Sequence, residues 1–247
     1  MEGECSFKVW RGNSEGGALV DFKVPVETGM VVLDAIHWIQ GHGTPDLACR
    51  WNCKAAKCGS CSAEINGKPK LLCKSRLDDY PQGEPIVVKP LRAFPIIRDL
   101  VTDVSTNYAM ARKIPAFTPT KNATWKWQQE DIDRVQEFRK CIECFLCQDV
   151  CHVLRDHQKH TSFAGPAFMA RVAALEMHPQ DDLDRTKLLK DELGIGFCNI
   201  TKCCTEVCPE DIHITDNAII PLKERVVDNH YDPVIIAWRK ITGKKTV

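Results

Sequence analysis

Apolar and polar positions change their rhythm along this chain. Near the start, Phe7 and Val9, and then the stretch from Ala18 to Val26, alternate with a period of two: Val20, Phe22 and Val24 against Leu19, Asp21 and Lys23. That period puts successive side chains on opposite faces of a strand. Gly12-Asn13-Ser14-Glu15-Gly16-Gly17 separates the two runs, so the pattern predicts a hairpin with its turn over 12–17. Val32, Leu33, Ile36 and Ile39 then recur at helical spacing, and Gly41 and Gly43 follow as stop signals. Beyond a long cysteine-rich loop come a strand at Ser62–Ile65, a turn at Asn66-Gly67, and short apolar strands at Leu71-Leu72 and Ile86–Val88.

From Pro95 onward the strand signal vanishes. Ile97–Ala109 reads as a helix, and Pro115–Thr124, with Pro115, Pro119 and Asn122, reads as a linker. Helical spacing then predicts Glu130–Lys140, Pro166–Met177, Asp182–Leu193, Asp216–Asp228 and Pro233–Ile241. Strand, strand, helix, loop, strands is the order of a β-grasp ferredoxin domain. The expected fold class is therefore α+β: an N-terminal β-grasp plant-type ferredoxin domain over residues 1–105, then an all-α bacterial-ferredoxin-like domain over 106–247.

Charge changes the picture only by exclusion. Lys+Arg and Asp+Glu both number 33 in 247 residues, so no net charge advertises nucleic acid as a partner. No apolar run approaches the ~18 residues of a membrane helix, and Glu2, Glu4, Asp21 and Glu27 near the start do not suit a secretory signal. The chain is expected in the cytoplasm, with any membrane attachment made through partners.

The cysteines change more. There are 14 of them, clustered at short spacings, as metal ligands are in a reducing compartment. Cys53-x4-Cys58-x2-Cys61, with Cys73 further on, is the plant-type [2Fe–2S] spacing. Gly59 lets backbone come close to the inorganic sulfides. Cys49 lies four residues before Cys53, but the spacing favours Cys53. Cys141-x2-Cys144-x2-Cys147-x3-Cys151 is repeated as Cys198-x2-Thr201-x2-Cys204-x3-Cys208, matched position for position except that Thr201 replaces the second cysteine. In such runs the fourth cysteine ligates the other cluster. The expected ligands of a [4Fe–4S] cluster are then Cys141, Cys144, Cys147 and Cys208. Cys151, Cys198 and Cys204 remain for a second cluster whose fourth corner has no thiolate, which predicts [3Fe–4S]. Cys5, Cys49 and Cys203 are left over. Cys203 adjoins Cys204, and neighbours on a helix point about 100° apart, so it is not expected to fill the open corner. A zinc site would use separated Cys-x2-Cys pairs. Only Cys58/Cys61 makes one near the first site, so a zinc-stabilised interaction module is the weaker reading.

A plant-type site followed by a crossed pair with one cysteine missing resembles the iron–sulfur subunit of succinate dehydrogenase and fumarate reductase. Gly165-Pro166-Ala167 also resembles the Gly-Pro-Ala that opens a helix in that family. The resemblance implies two partners, a flavoprotein subunit carrying FAD and one or more membrane-anchor subunits. It also implies electron flow from FAD through [2Fe–2S], [4Fe–4S] and [3Fe–4S] to quinone, or the reverse, at the cytoplasmic face of the cell membrane. The chain departs from the family at Lys54-Ala55-Ala56, where Arg-Glu-Gly is frequent. Members that use ubiquinone follow the first run with Pro and then a Trp pair, where this chain has His152, Arg155 and Asp156, and Asn199 stands where His is frequent. These departures favour a menaquinone-type or otherwise divergent complex. Quinone reduction needs protons as well as electrons, so His152, Arg155, Asp156, Asn199 and Thr201, near the expected [3Fe–4S] cluster, are candidates for the quinone site. A solvated helix face or anchor contacts are the alternatives for them. Lys54 and Lys57 are either loop lysines in solvent or charges that favour the reduced [2Fe–2S] cluster. Lys223 and Arg225 either offset cluster charge or lie on a helix surface, and Trp125 and Trp127 are expected in packing or an interface. The competing function is the same relay joined to another flavoenzyme, such as a thiol-linked fumarate reductase. Members of that type often carry further cysteine-rich repeats downstream, and none follows Cys208 here.

Overall fold

A computed structural model describes residues 3–120 and 127–242. The chain divides into two compact units, the first running up to Ser105 and taking in Ile142–Val150, the second made of Thr106–Cys141 and the chain from Cys151 onward. Packing of Ile142–Val150 with the first unit is not visible in the sequence, which places that segment among the helices of the 106–247 domain.

In the first unit, β1 (Gly3–Asn13) and β2 (Gly16–Val26) form an antiparallel hairpin in continuous register from Gly3↔Val26 to Asn13↔Gly16. The turn is therefore Ser14-Glu15 alone, shorter than the predicted 12–17. Gly12 and Gly17 belong to the strands. A Cβ on Gly17 would meet the Trp10 ring at 2.5 Å, so these glycines make room for an indole that lies across the hairpin. α1 (Val32–Gly41) buries Val32, Leu33, Ala35, Ile36 and Ile39, as its spacing predicts, and Asp34 accepts the Val31 N–H at its first turn. β3 (Ser62–Ile65) and β4 (Lys68–Leu71) flank the turn at Asn66 and Gly67, both with positive φ. β5 (Ile86–Lys89) pairs parallel with β1 and antiparallel with β3, giving the mixed sheet order β4-β3-β5-β1 with β2 beside β1.

The predicted helix over Ile97–Ala109 forms only in its last part, from Ser105 onward. β6 (Ile96–Arg98) and β7 (Val101–Thr102) extend the sheet past β1, and α2 begins only at Ser105 (Ser105–Lys113). The reason lies at Asp99, in left-handed conformation (φ 49°) and 2% exposed. Its carboxylate accepts the Gly12 N–H (3.0 Å), the Ala48 N–H (2.8 Å) and Arg11 Nε (2.9 Å). That hub pins the entrance of the cysteine loop to the end of the β1 hairpin, and it outweighs the helical spacing of Ile97, Leu100 and Val101.

The second unit is helical. α3 (Gln129–Gln136) continues as a 3₁₀ turn to Lys140. α4 (Leu146–Val150), in the first unit, and α5 (His152–Arg155) are short. α6 (Pro166–Glu176) starts as Gly165-Pro166-Ala167 predicts, with Gly165 at φ 89° and Pro at the first helical position, where its missing N–H costs nothing. α7 (Thr186–Asp191) is shorter than the predicted 182–193 because buried Arg185 stops it. The Arg185 guanidinium bonds Asp181 (2.9 Å) and the Ala116 carbonyl (2.8 Å), fastening the start of the predicted linker against this region. Residues 121–124 of that linker, and Trp125, lie outside the described residues. α8 (Cys203–Glu206) is followed by a π-helical stretch at Ile214–Ile219, then α9 (Ile220–His230) and α10 (Pro233–Thr242). Pro221 has no N–H to donate, which suits the change from wide to regular winding at the start of α9.

Candidate iron–sulfur centres

The first cysteine set lies wholly in the first unit, on the loop after α1 and on the chain after β4. Backbone N–H groups point at its sulfurs. Ala55 and Lys57 N–H reach Cys53 Sγ at 3.3 Å each, Ala56 N–H reaches Cys73 Sγ at 3.3 Å, and Cys73 N–H reaches Cys61 Sγ at 3.5 Å. The loop achieves this by holding Lys54 (φ 53°) and Ala56 (φ 55°) left-handed, a conformation that costs about 1 kcal/mol or more for a residue with a Cβ. Amides aimed at sulfur are what a cluster of negative net charge needs, so the residues present fit one.

Cys49 is different. Its Sγ donates weakly to the Arg50 carbonyl, and burial pushes its thiol up to about 12. Hydrogen bonds led by the Ser60 hydroxyl pull Cys58 down to about 6, whereas burial pushes Cys61 up to about 12. Lys54 Nζ sits over the Trp51 ring, 5.0 Å from its centroid. Gly59 (φ 68°) has a role that spacing does not reveal. A Cβ there would meet Cys144 Cα at 2.7 Å and the Ile142 carbonyl at 2.9 Å. Ser62 Oγ lies 2.8 Å from the Gly59 carbonyl and 2.9 Å from the Cys144 carbonyl, so the start of β3 holds both.

The two repeated runs share an unusual backbone. In the first, Glu143 (φ 53°) and Phe145 (φ 60°) are left-handed on either side of Cys144. In the second, Ile200 and Lys202 (both φ 62°) are left-handed on either side of Thr201. Each run then enters a short helix, α4 or α8, which carries Cys147 or Cys204, and ends at Cys151 or Cys208. Thr201 therefore occupies the backbone setting of Cys144. Cys144 and Cys147 belong to the first unit, and Cys141, Cys151, Cys198, Cys204 and Cys208 to the second. Burial pushes Cys151 up to about 11 and Cys204 up to about 12. Such thiols stay protonated near neutral pH unless a cation takes the proton's place.

Hydrogen bonds support the second run on several sides. Thr215, in the π-helical stretch, places Oγ1 3.4 Å from Cys204 Sγ and 3.2 Å from Thr205 Oγ1. The Ile212 N–H reaches Cys208 Sγ at 3.4 Å. Lys223 donates to the Cys198 carbonyl, so its role is tied to this loop. Arg225 instead lines a polar cavity with Glu130, Asp133 and Asp228. Among the residues singled out for quinone, Arg155 is bonded to Asp156 at 3.0 Å, His152 and His157 stand edge to face with centroids 6.1 Å apart, and Asn199 and Thr201 are exposed. Sequence reasoning passed over Phe197 and Ile200, whose apolar side chains are exposed beside Cys198. Their position next to a ligand candidate was the available signal. Trp127 is exposed and meets the His178 ring edge to face at 5.6 Å.

Comparisons with known proteins agree with this arrangement. Residues 6–109 match the family of 2Fe-2S iron-sulfur cluster binding domains, and residues 137–212 match the 4Fe-4S dicluster domain. An uncharacterized iron–sulfur protein of Methanococcus maripaludis is 33% identical over 85% of this chain, which spans only 42% of that protein's length. The fumarate reductase iron-sulfur subunit of Mycobacterium tuberculosis is 32% identical over 77% of this chain and 79% of its own length. A chain in the structure of the Mycobacterium smegmatis Sdh1 complex in the apo form is 59% identical and superposes with a TM-score of 0.91, covering 95% of this chain and all of that one. With both cluster domains in the order that the cysteines predict, and with the fumarate reductase subunit and the Sdh1 chain matched along most of their length, this chain belongs to the iron–sulfur subunits of the succinate dehydrogenases and fumarate reductases.

Proposed function

We propose that this chain relays single electrons between the FAD of a flavoprotein subunit and a membrane quinone, menaquinone by preference, in a succinate:quinone oxidoreductase. When bound, the [2Fe–2S], [4Fe–4S] and [3Fe–4S] clusters supply the one-electron steps. Cys53, Cys58, Cys61 and Cys73 hold the first, Cys141, Cys144, Cys147 and Cys208 the second, and Cys151, Cys198 and Cys204 the third. The observation that carries this reading is the matched pair of left-handed residues around Cys144 and around Thr201. The chain builds two similar cages and gives one of them three thiolates.

The residues near these cysteines then have defined work. The N–H groups of Ala55, Ala56 and Lys57 favour extra negative charge on the first cluster and so raise its potential. Plant-type clusters commonly sit near about −400 mV, too low for succinate to reduce easily. The Thr215 hydroxyl does the same for the sulfur of Cys204. His152 and Arg155 on α5, and Asp156 just after it, supply protons and hydrogen bonds to quinone, with Asn199, Thr201 and exposed Phe197 and Ile200 lining its approach. No helix among the described residues is long and apolar enough to cross a membrane. The reading assigns attachment at the cytoplasmic face to the anchor subunits.

The test is purification of the complex from membranes without air. The reading expects an FAD flavoprotein and membrane subunits to accompany this chain, and succinate to abolish the oxidised-state paramagnetic signal of the three-iron cluster. A partner inert to succinate, or turnover with a soluble thiol in place of quinone, would refute it.

A further inference from the structure

Cys203 has no place in the ligand scheme, and its position in the second run is unusual. Its counterpart in the first run is Leu146, a core residue 1% exposed. Cys203 is a half-exposed thiol at the first residue of α8. The expected divergence of Cys203 from the site rests on the 100° step between helical neighbours, but the chain bends before the helix begins. Left-handed Ile200 and Lys202 curl the loop back on itself, and Cys203 Sγ comes to 3.3 Å from Thr201 Oγ1. Thr201 stands in the backbone setting of Cys144, where the other run presents its second thiolate. A sulfur touching the Thr201 hydroxyl is therefore at the corner that lacks a ligand.

We propose that Cys203 is a conditional fourth ligand, with which the three-iron site takes up a ferrous ion to become a four-iron centre and later releases it. The proposal rests on the ligand assignment under Proposed function. The step is balanced when the three-iron core is in its reduced state. Ferrous iron from solution adds to the open corner, the Cys203 S–H bond breaks, its proton goes to water, the thiolate bonds the incoming iron, and no electron is transferred. Withdrawal of the ferrous ion by a chelator reverses it, with Cys203 taking its proton back from water and no electron transferred. The Thr201 hydroxyl is the resting partner of the thiol and competes with iron for it. The site would report iron supply through its own nuclearity, which single-electron delivery to quinone depends on.

The test uses the whole complex, reduced without air, incubated with isotopically labelled ferrous iron, freed of excess iron and reoxidised anaerobically. In the wild type the oxidised-state signal of the three-iron cluster is expected to lose most of its intensity while labelled iron is retained. Cys203→Ser, and Cys203→Ala as a second variant, should keep the full signal and retain no label. Thr201→Val, which removes the competing hydroxyl, should convert at lower iron concentration than the wild type. A wild-type signal indifferent to iron, or one lost equally in both Cys203 variants, would overturn the inference. Absence of the three-iron signal before iron is added would instead overturn the ligand assignment and the inference with it.

Discussion

The runs 141–151 and 198–208 have similar backbones and different surroundings. Both flank their second position with left-handed residues and both pass into a one-turn helix. In the first run that helix is sunk in the unit's interior, with Leu146, Cys147, Gln148 and Asp149 all buried. In the second run Cys204 alone is buried and Glu206 is exposed. Phe145, 6% exposed, corresponds to Lys202, which is exposed and paired with Asp216 at 2.7 Å. Asp149 accepts the Ala93 N–H on its Oδ1, and burial pushes its carboxyl up to about 7, while its counterpart Glu206 lies in solvent. Backbone shape is thus set by turns that tolerate very different neighbours, and in the proposed assignment one side chain sets the number of irons.

Exchanging that side chain breaks the comparison most directly. Thr201→Cys should turn the second cage into the first, with near-complete loss of the oxidised three-iron signal. Cys144→Thr should turn the first into the second and add a second three-iron signal. Low-temperature EPR of each purified complex reads both results. A smaller effect is expected at Gly59, whose missing side chain admits Cys144. Gly59→Ala places a Cβ 2.7 Å from Cys144 Cα on a residue at φ 68°, and should destabilise the folded chain by about 3 kcal/mol, seen as a lower denaturant midpoint.

Next in size is Glu137, which fastens the chain that follows the second run. It accepts the His213 N–H at 2.7 Å and meets the His213 ring at 2.8 Å and the Asn217 amide. Burial opposes ionisation of this carboxyl, but these hydrogen bonds outweigh it and hold the pKa below the usual range. The group therefore stabilises the fold above its unfolded pKa of about 4.3, and the contribution is lost as pH falls through the lower folded value. Glu137→Ala should cost about 2 kcal/mol at pH 7 and little in strong acid, as read by denaturation at the two pH values. The smallest effect is expected from Thr215→Val. Loss of one hydroxyl facing Cys204 Sγ, about 1 kcal/mol, should lower the three-iron potential by about 40 mV in a redox titration.

The two cluster domains and their order were legible in the sequence because cysteine spacing and residue type carry them, and the β1–β2 hairpin and α1 because their periods are long and regular. What stayed hidden is short or depends on distant partners. α4, α5 and α8 are too brief to show a period. Ile97, Leu100 and Val101 have helical spacing, yet the Asp99 carboxylate, bonded to residues far along the chain, bends them into two short strands and the turn between them. Gly12 and Gly17 imitate a turn because a glycine that clears an indole and a glycine that reverses a chain look alike in sequence. The approach of Cys203 to Thr201 depends on two left-handed residues, Ile200 and Lys202, whose types give no hint of that conformation.

The central claim is that Thr201 leaves its cage one iron short. Spin quantitation of the air-free, chemically oxidised native complex tests it most directly. The account predicts about one three-iron spin per chain, since the other two clusters are silent in that state. A complex with its full content of acid-labile sulfide and no such signal would contradict it.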